Sequence, residues 1–199
     1  RDRLILGGVA ALGAPAARAA DAAAEPSPMD EPLRLLAEAR NGFVNVADYT
    51  CTLVKKERIN GELTPDNVIS MAVRNEPFSV DLRWLRPKNV VGQEACYVAG
   101  RNDGKMRAKS PGLLGVVGFV SIDPADPRAQ RTSHHSITEA GIGNLLQRFS
   151  RGWEVEKKLN LTQVKIGEYD YNKRRCVRVE TLHPANPDNQ FLYYRTVLY

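Results

Sequence analysis

The sequence predicts an α+β fold in which a long antiparallel sheet carries two amphipathic helices. Two segments repeat apolar residues at helical spacing, around residues 33–40 and 142–153. About eight further segments alternate apolar and polar residues, separated by Gly, Asn and Asp turn signals. They follow the order helix, strands, apolar loop, helix, strands. Both helices must bury their apolar stripes against the apolar face of the sheet. With 199 residues, 43% of them hydrophobic and 26% charged, the chain has an ordinary globular composition. It is long enough to bury a core without disulfide staples.

Each element has its own signal. Arg1 and Arg3 precede an apolar stretch, Leu4 to Leu12, and Ala17-Arg18-Ala19 has the form of a signal-peptidase site. Residues 1–19 therefore read as part of an export signal, residues 20–29 as a disordered linker and residues 30–199 as a single domain. Asp30, Glu31 and Pro32 suit a first helical turn. Leu33, Leu36, Ala37 and Arg40 continue it, and Gly42 marks its stop. The period then becomes two. "DYTCTLVKKERI" places Tyr49, Cys51 and Leu53 on one face, and Asn60-Gly61 is a hairpin signal. Ile69, Met71 and Val73 share a face, as do Phe78, Val80, Leu82 and Trp84. "QEACYVAG" and "KMRAKS" flank the turn Asn102-Asp103-Gly104.

"PGLLGVVGFVSIDPADP", residues 111–127, breaks this pattern. It is too short to span a bilayer, which takes about 20 apolar residues. It is too rich in glycine for a helix. Ser136-Ile137-Thr138-Glu139 is a capping-box pattern and predicts a helix starting there, with the stripe Ile142, Leu145, Leu146, Phe149 and Trp153. Strands return in "LTQVKIGEYDY", "RCVRVETLHP" and "QFLYYRTVLY". The last suggests a strand that continues past Tyr199. A sheet of about eight strands curls, and if nearly closed it holds one small ligand.

Charge and motifs exclude several classes. The formal charge is +5, and Arg1, Arg3, Arg18 and Asp2 lie in the signal segment, so the remainder carries +3. No clustered basic surface for nucleic acid is expected. Lys173-Arg174-Arg175 reads as a solvated hairpin tip, and no segment reads as a transmembrane anchor. Cys51, Cys96 and Cys176 fit no metal or redox spacing and leave open one disulfide or three free thiols. There is no G-x-S-x-G, H-E-x-x-H or P-loop. His134 and His135 read as helix-entry residues. Replacing both together with His183 is expected to leave the fold nearly intact. No metal, cofactor or catalytic residue is expected. Gly141 and Gly143 suggest close helix–sheet packing or, as the less favoured reading, a groove left for a ligand.

"DYTCTLVKKERINGEL", "NEPFSVDLRWL", "NDGKM", "GLLGVVGFVSIDP" and "HHSITEAGIGNLL" together resemble an exported bacterial family, domain of unknown function 1571. One departure is Ser136, where that family's pattern implies Pro. The pattern is similar to periplasmic lipoprotein carriers. That resemblance implies a curved, unclosed antiparallel barrel with helices across its mouth and an apolar cavity. A likeness of fold gives no function by itself. Taken with the export signal, the first reading is a periplasmic or otherwise exported, non-enzymatic domain that binds a lipid, an acyl chain or a lipoprotein. The expected cavity lining is Leu82, Trp84, Leu113, Leu114, Val117, Phe119, Leu145, Phe149 and Trp153, with the glycine-spaced run as a flexible lid or cavity wall, or as a plug. The alternatives are an envelope protein-interaction or sensor module with a filled core and, least favoured, a metal-dependent hydrolase using His135 and Glu139.

Overall fold

The computed structural model describes residues 26–131, 133–184, 191 and 193–199. The export signal and most of the expected linker lie outside these residues. Met29, the last linker position, is only 1% exposed and belongs to the core.

Helix α1 spans Asp30–Phe43, one residue past the expected stop at Gly42. Asp30 and Glu31 sit at its positive end, which favours acids. Strand β1 (Asp48–Lys55) follows. Next comes a small hairpin of β2 (Arg58–Ile59) and β3 (Glu62–Leu63), then β4 (Asn67–Arg74), β5 (Ser79–Arg86), β6 (Glu94–Val98), β7 (Met106–Lys109) and β8 (Val120–Ile122). The Asn60-Gly61 turn has φ of 50° and 86°, the left-handed pair that a two-residue hairpin needs. Helical turn α2 (Pro127–Gln130) leads toward α3 (Ile142–Leu159). Strands β9 (Gln163–Tyr171), β10 (Arg174–Leu182) and β11 (Arg195–Leu198) complete the described chain.

The fold is α+β with a large antiparallel sheet that does not close into a barrel. Six strands pair in the order β1-β4-β5-β6-β7-β8, leaving β1 and β8 as edges. The expected single run of about eight strands is divided, because β9–β11 form their own ladder in the order β11-β10-β9. Helix α3 intervenes in the chain between the two meanders. Strand β8 was hidden in the apolar run, where three glycines masked its alternation.

The core forms two clusters. Ile69, Met71, Val73, Val80 and Leu82 fill one face of the large sheet. Met29, Leu36, Phe149, Trp153 and Val179 join α1, α3 and β10 in the other. The expected helical stripe is therefore split. Leu146, Phe149 and Trp153 turn toward α1 and β10, whereas Ile142 and Leu145 remain 41% and 42% exposed.

Candidate functional site

One cross-strand row runs through the whole six-stranded sheet. Cys51 pairs with Met71, Met71 with Leu82, Leu82 with Ala95, Ala95 with Ala108, and Ala108 with Val120. Directly opposed residues share a face, so these six side chains lie side by side. Leu53, Ile69 and Trp84 make a neighbouring row, and Met106 pairs with Ile122. Together they floor a groove of about 780 Å³. Its centre is shallow in side chains, because Ala95 and Ala108 carry one methyl each where a Leu or Ile would fill the space.

The facing wall is built by the connection from β8 to α3. Pro124, Ala129, Ile137 and Ala140 contribute apolar surface, and the start of α3 adds Ile142 and Leu145. The entry to α3 explains this placement. Ser136 does accept a hydrogen bond from the Thr138 N–H (3.4 Å), but it caps only a tight turn over Ile137–Glu139. The helix begins six residues later than expected, because Gly141 at φ 97° breaks the run. Tyr49 Oη accepts from the Ile142 N–H at 2.6 Å and docks the helix end on β1. A Cβ on Gly141 would lie 2.9 Å from Tyr49 Oη and 3.3 Å from Val73 Cγ1. One on Gly143 would lie 3.0 Å from Phe43 Cε1. Gly141 thus permits the expected close packing on the sheet, whereas Gly143 permits close packing against the end of α1.

One end of the groove is polar. Glu57 accepts from Ser133 Oγ (3.4 Å), the His134 N–H (3.2 Å) and Lys55 Nζ (3.5 Å). Arg148 donates to His135 Nδ1 at 2.8 Å and pairs with Glu139. A nitrogen that accepts from Arg148 cannot also donate, so the 3.3 Å approach of Glu139 to the same Nδ1 is a close contact and no hydrogen bond. Burial pulls the Arg148 guanidinium down, but Tyr193 and Glu139 outweigh it and hold it above its ordinary value. Burial pushes the Tyr49 phenol and the Cys51 thiol up. All three cysteines are free and partly buried. Among the described residues no group of three His, Cys, Asp or Glu is placed to hold a metal.

Of the expected lining residues, Leu82, Trp84 and Leu145 line the groove. Phe149 and Trp153 do not, since they pack in the helical cluster. Leu113 and Val117 are 91% and 78% exposed, and Phe119 is 40% exposed. The side chain of Leu114 lies outside the described residues. The tip residues Leu113 and Val117 therefore neither cover nor fill the groove, whereas Pro111, Val120, Ile122 and Pro124 of the same run form part of its wall. Gly112–Val117 forms a tight helical turn closed by Gly118 at φ 82°. Phe119 then points opposite to Val120 and lies beneath two cations, with Arg107 Cζ at 5.8 Å and Lys109 Nζ at 5.9 Å from its ring centre.

Sequence reasoning missed the residues that shape the groove, notably Ala95, Ala108, Ile137 and Arg148. Alternation in "QEACYVAG" and "KMRAKS" places both alanines on an inward face. It also misjudged His183. That ring is buried, with Nε2 2.8 Å from Glu156 Oε2 and Nδ1 2.5 Å from the Tyr193 carbonyl.

An open antiparallel sheet with a groove along one face and helices packed beside it defines the structural class. The chain belongs to the family described as "Protein of unknown function (DUF1571)", whose model matches residues 46–199. No curated protein matches the chain. It is similar to the crystal structure of a DUF1329 family protein from Desulfovibrio piger ATCC 29098, at 14% identity and a TM-score of 0.40, over 86% of this chain and 68% of that one. It is also similar to a putative outer membrane lipoprotein-sorting protein domain from Vibrio parahaemolyticus, at 11% identity and a TM-score of 0.41, over 85% and 66% of the two chains. The chain thus spans about two thirds of the length of each structure, and neither likeness bears on what it binds.

Proposed function

We propose that this protein is an exported, non-enzymatic binder that takes the apolar chain of a lipid, an acyl group or a lipoprotein into the groove. The observation that carries the reading is the row Met71, Leu82, Ala95, Ala108 and Val120, in which two alanines hold open an apolar floor. A volume of about 780 Å³ falls within the range of roughly 300–1,000 Å³ usual for small-molecule sites. Each buried methylene contributes about 0.8 kcal/mol, and association and ordering costs offset much of the total. Dissociation constants on the order of micromolar follow. The polar end, with Arg148 and Lys55, suits the head of such an amphiphile. The signal pattern of residues 1–19 supports export. No described helix is long and apolar enough to cross a membrane.

Native mass spectrometry of the protein purified from cells, with lipid extraction, tests the reading. A co-purifying acyl species is expected. Ala95→Leu combined with Ala108→Leu fills the groove and should abolish uptake of a fluorescent fatty acid while the protein stays folded. Wild type that takes up no acyl probe refutes the proposal, and so does a double variant that binds like wild type.

A further inference from the structure

We infer that the Gly112–Val117 turn is a membrane-contacting element that docks on the surface of an anionic bilayer. Leu113, Val116 and Val117 are 91%, 84% and 78% exposed. Single exposed aliphatic residues are ordinary, but several gathered at one tip form an apolar patch of the kind that marks an interaction site. The tip is held outward by its own backbone. A Cβ on Gly115 would lie 2.6 Å from the Ser110 carbonyl oxygen, so the turn packs tightly onto the end of β7 in a way only glycine permits.

Charge selects the partner. From Gly104 to Ile122 the chain carries Lys105, Arg107 and Lys109 and no carboxylate, with Asp103 and Asp123 bracketing the stretch. The Lys109 stem passes 3.6 Å from the Cβ position of Gly115, which sets its ammonium at the base of the turn. Arg107 lies over Phe119, two residues beyond Val117. Glu94 engages Lys109 at 3.3 Å, whereas Arg107 carries no ion pair among the described residues. Lys105 lies at the opposite end of β7, next to the Met106–Ile122 pair, and takes no part in the base. An apolar tip on a basic base is the arrangement of an interfacial anchor. The aliphatic groups enter the acyl boundary and the cations meet anionic lipid phosphates. A second copy of this chain fits less well, because a two-fold contact brings the same patch against itself and opposes like charges. Ser110, Pro111 and Val120 flank the turn and also line the groove, so docking here sets the groove's rim at the lipid surface. The inference stands independently of what the groove holds.

Co-sedimentation of the full chain with phosphatidylcholine vesicles, with and without phosphatidylglycerol, tests it. Wild type should sediment with the phosphatidylglycerol vesicles, and salt should weaken the binding. Replacing Leu113, Val116 and Val117 together by Ser should lower partitioning roughly tenfold or more without shifting thermal unfolding. Arg107→Glu should lower it while leaving the apolar tip intact, and this variant decides alone if the serine variant fails to fold. Wild type that stays in the supernatant overturns the inference, as do charge-reversed and serine variants that sediment like wild type. A wild-type dimer by light scattering, dissociated by the serine variant, also overturns it and assigns the tip to a second copy.

Discussion

Replacing His183 by Ala should destabilise the protein severely. A carbonyl oxygen only accepts, so the 2.5 Å contact with Tyr193 O requires a proton on His183 Nδ1. At 2.8 Å, a bare Nε2 facing a bare carboxylate would be repulsive, so a second proton lies between Nε2 and Glu156. The two side chains are 1% and 6% exposed, and Thr162 Oγ1 completes the site at 3.4 Å from Glu156. The pair ties the C-terminal half of α3 to the end of β10. Removing the imidazole leaves a carboxylate buried without its partner, a loss of about 3–5 kcal/mol. For a chain of this size each kcal/mol is worth roughly 2–4 °C, so the midpoint should fall by roughly 6–20 °C. Glu156→Ala should cost a similar amount, because it strands the ring. His183→Leu with Glu156→Leu removes both polar groups and should recover most of the loss. Thermal and urea unfolding of the four proteins measure these differences. A His183→Ala loss below about 1 kcal/mol, the level of an exposed pair, would refute the reasoning. So would losses that simply add in the double variant.

Other consequences follow from the same geometry. Gly141→Ala should cost about 1–3 kcal/mol in urea unfolding, because it forces a side chain into a left-handed backbone conformation and toward Tyr49 Oη. Leu36→Ala should cost about 2–5 kcal/mol, because Leu36 is 4% exposed in the helical cluster. Leu113→Ala should leave urea stability within about 0.5 kcal/mol. Asp126 should titrate near pH 2 by NMR, since the Arg128 side chain and backbone N–H hold its carboxyl down to about 2. Its folded value is depressed, so its cap on α2 is fully present above the ordinary carboxylate range and is lost only as pH falls through about 2. A midpoint near 4 would show that the Arg128 contact does not form in solution.

The sequence made the strands legible because period-two alternation reports a face directly. Phe78, Val80, Leu82 and Trp84 share the face that alternation assigned, and Tyr49, Cys51 and Leu53 do likewise. Asn60-Gly61 named its own turn, since few residues tolerate positive φ twice in succession. Helix α3 shows where this reasoning stops. Its stripe is a real apolar face, but periodicity does not say which neighbour each residue meets. Leu145 went to the groove, and Phe149 and Trp153 went to α1 and β10. The start of α3 was misread because Ser136 satisfies one N–H equally well in a tight turn and in a helix. The distinction came from Gly141, which has no side chain to advertise its role.

The apolar run shows why a pattern of apolar residues does not identify a binding cavity. A cavity is an absence of side-chain volume, and its signal in sequence is a small residue at an inward position of a strand. Ala95 and Ala108 are such residues, and they are adjacent only because β6 pairs with β7 in one register. That register is set by the turn over Asn102–Gly104, not by either alanine. Large apolar residues spaced by glycine, in contrast, attract attention whether they face inward or outward. Residues 111–122 contain both outcomes. Leu113, Val116 and Val117 ride a turn that glycine bends away from the sheet, and Val120 joins the groove's floor. Their hydrophobicity is the same. Their sides are decided by Ser110 against Gly115 and by Gly118, which together fix where β8 begins.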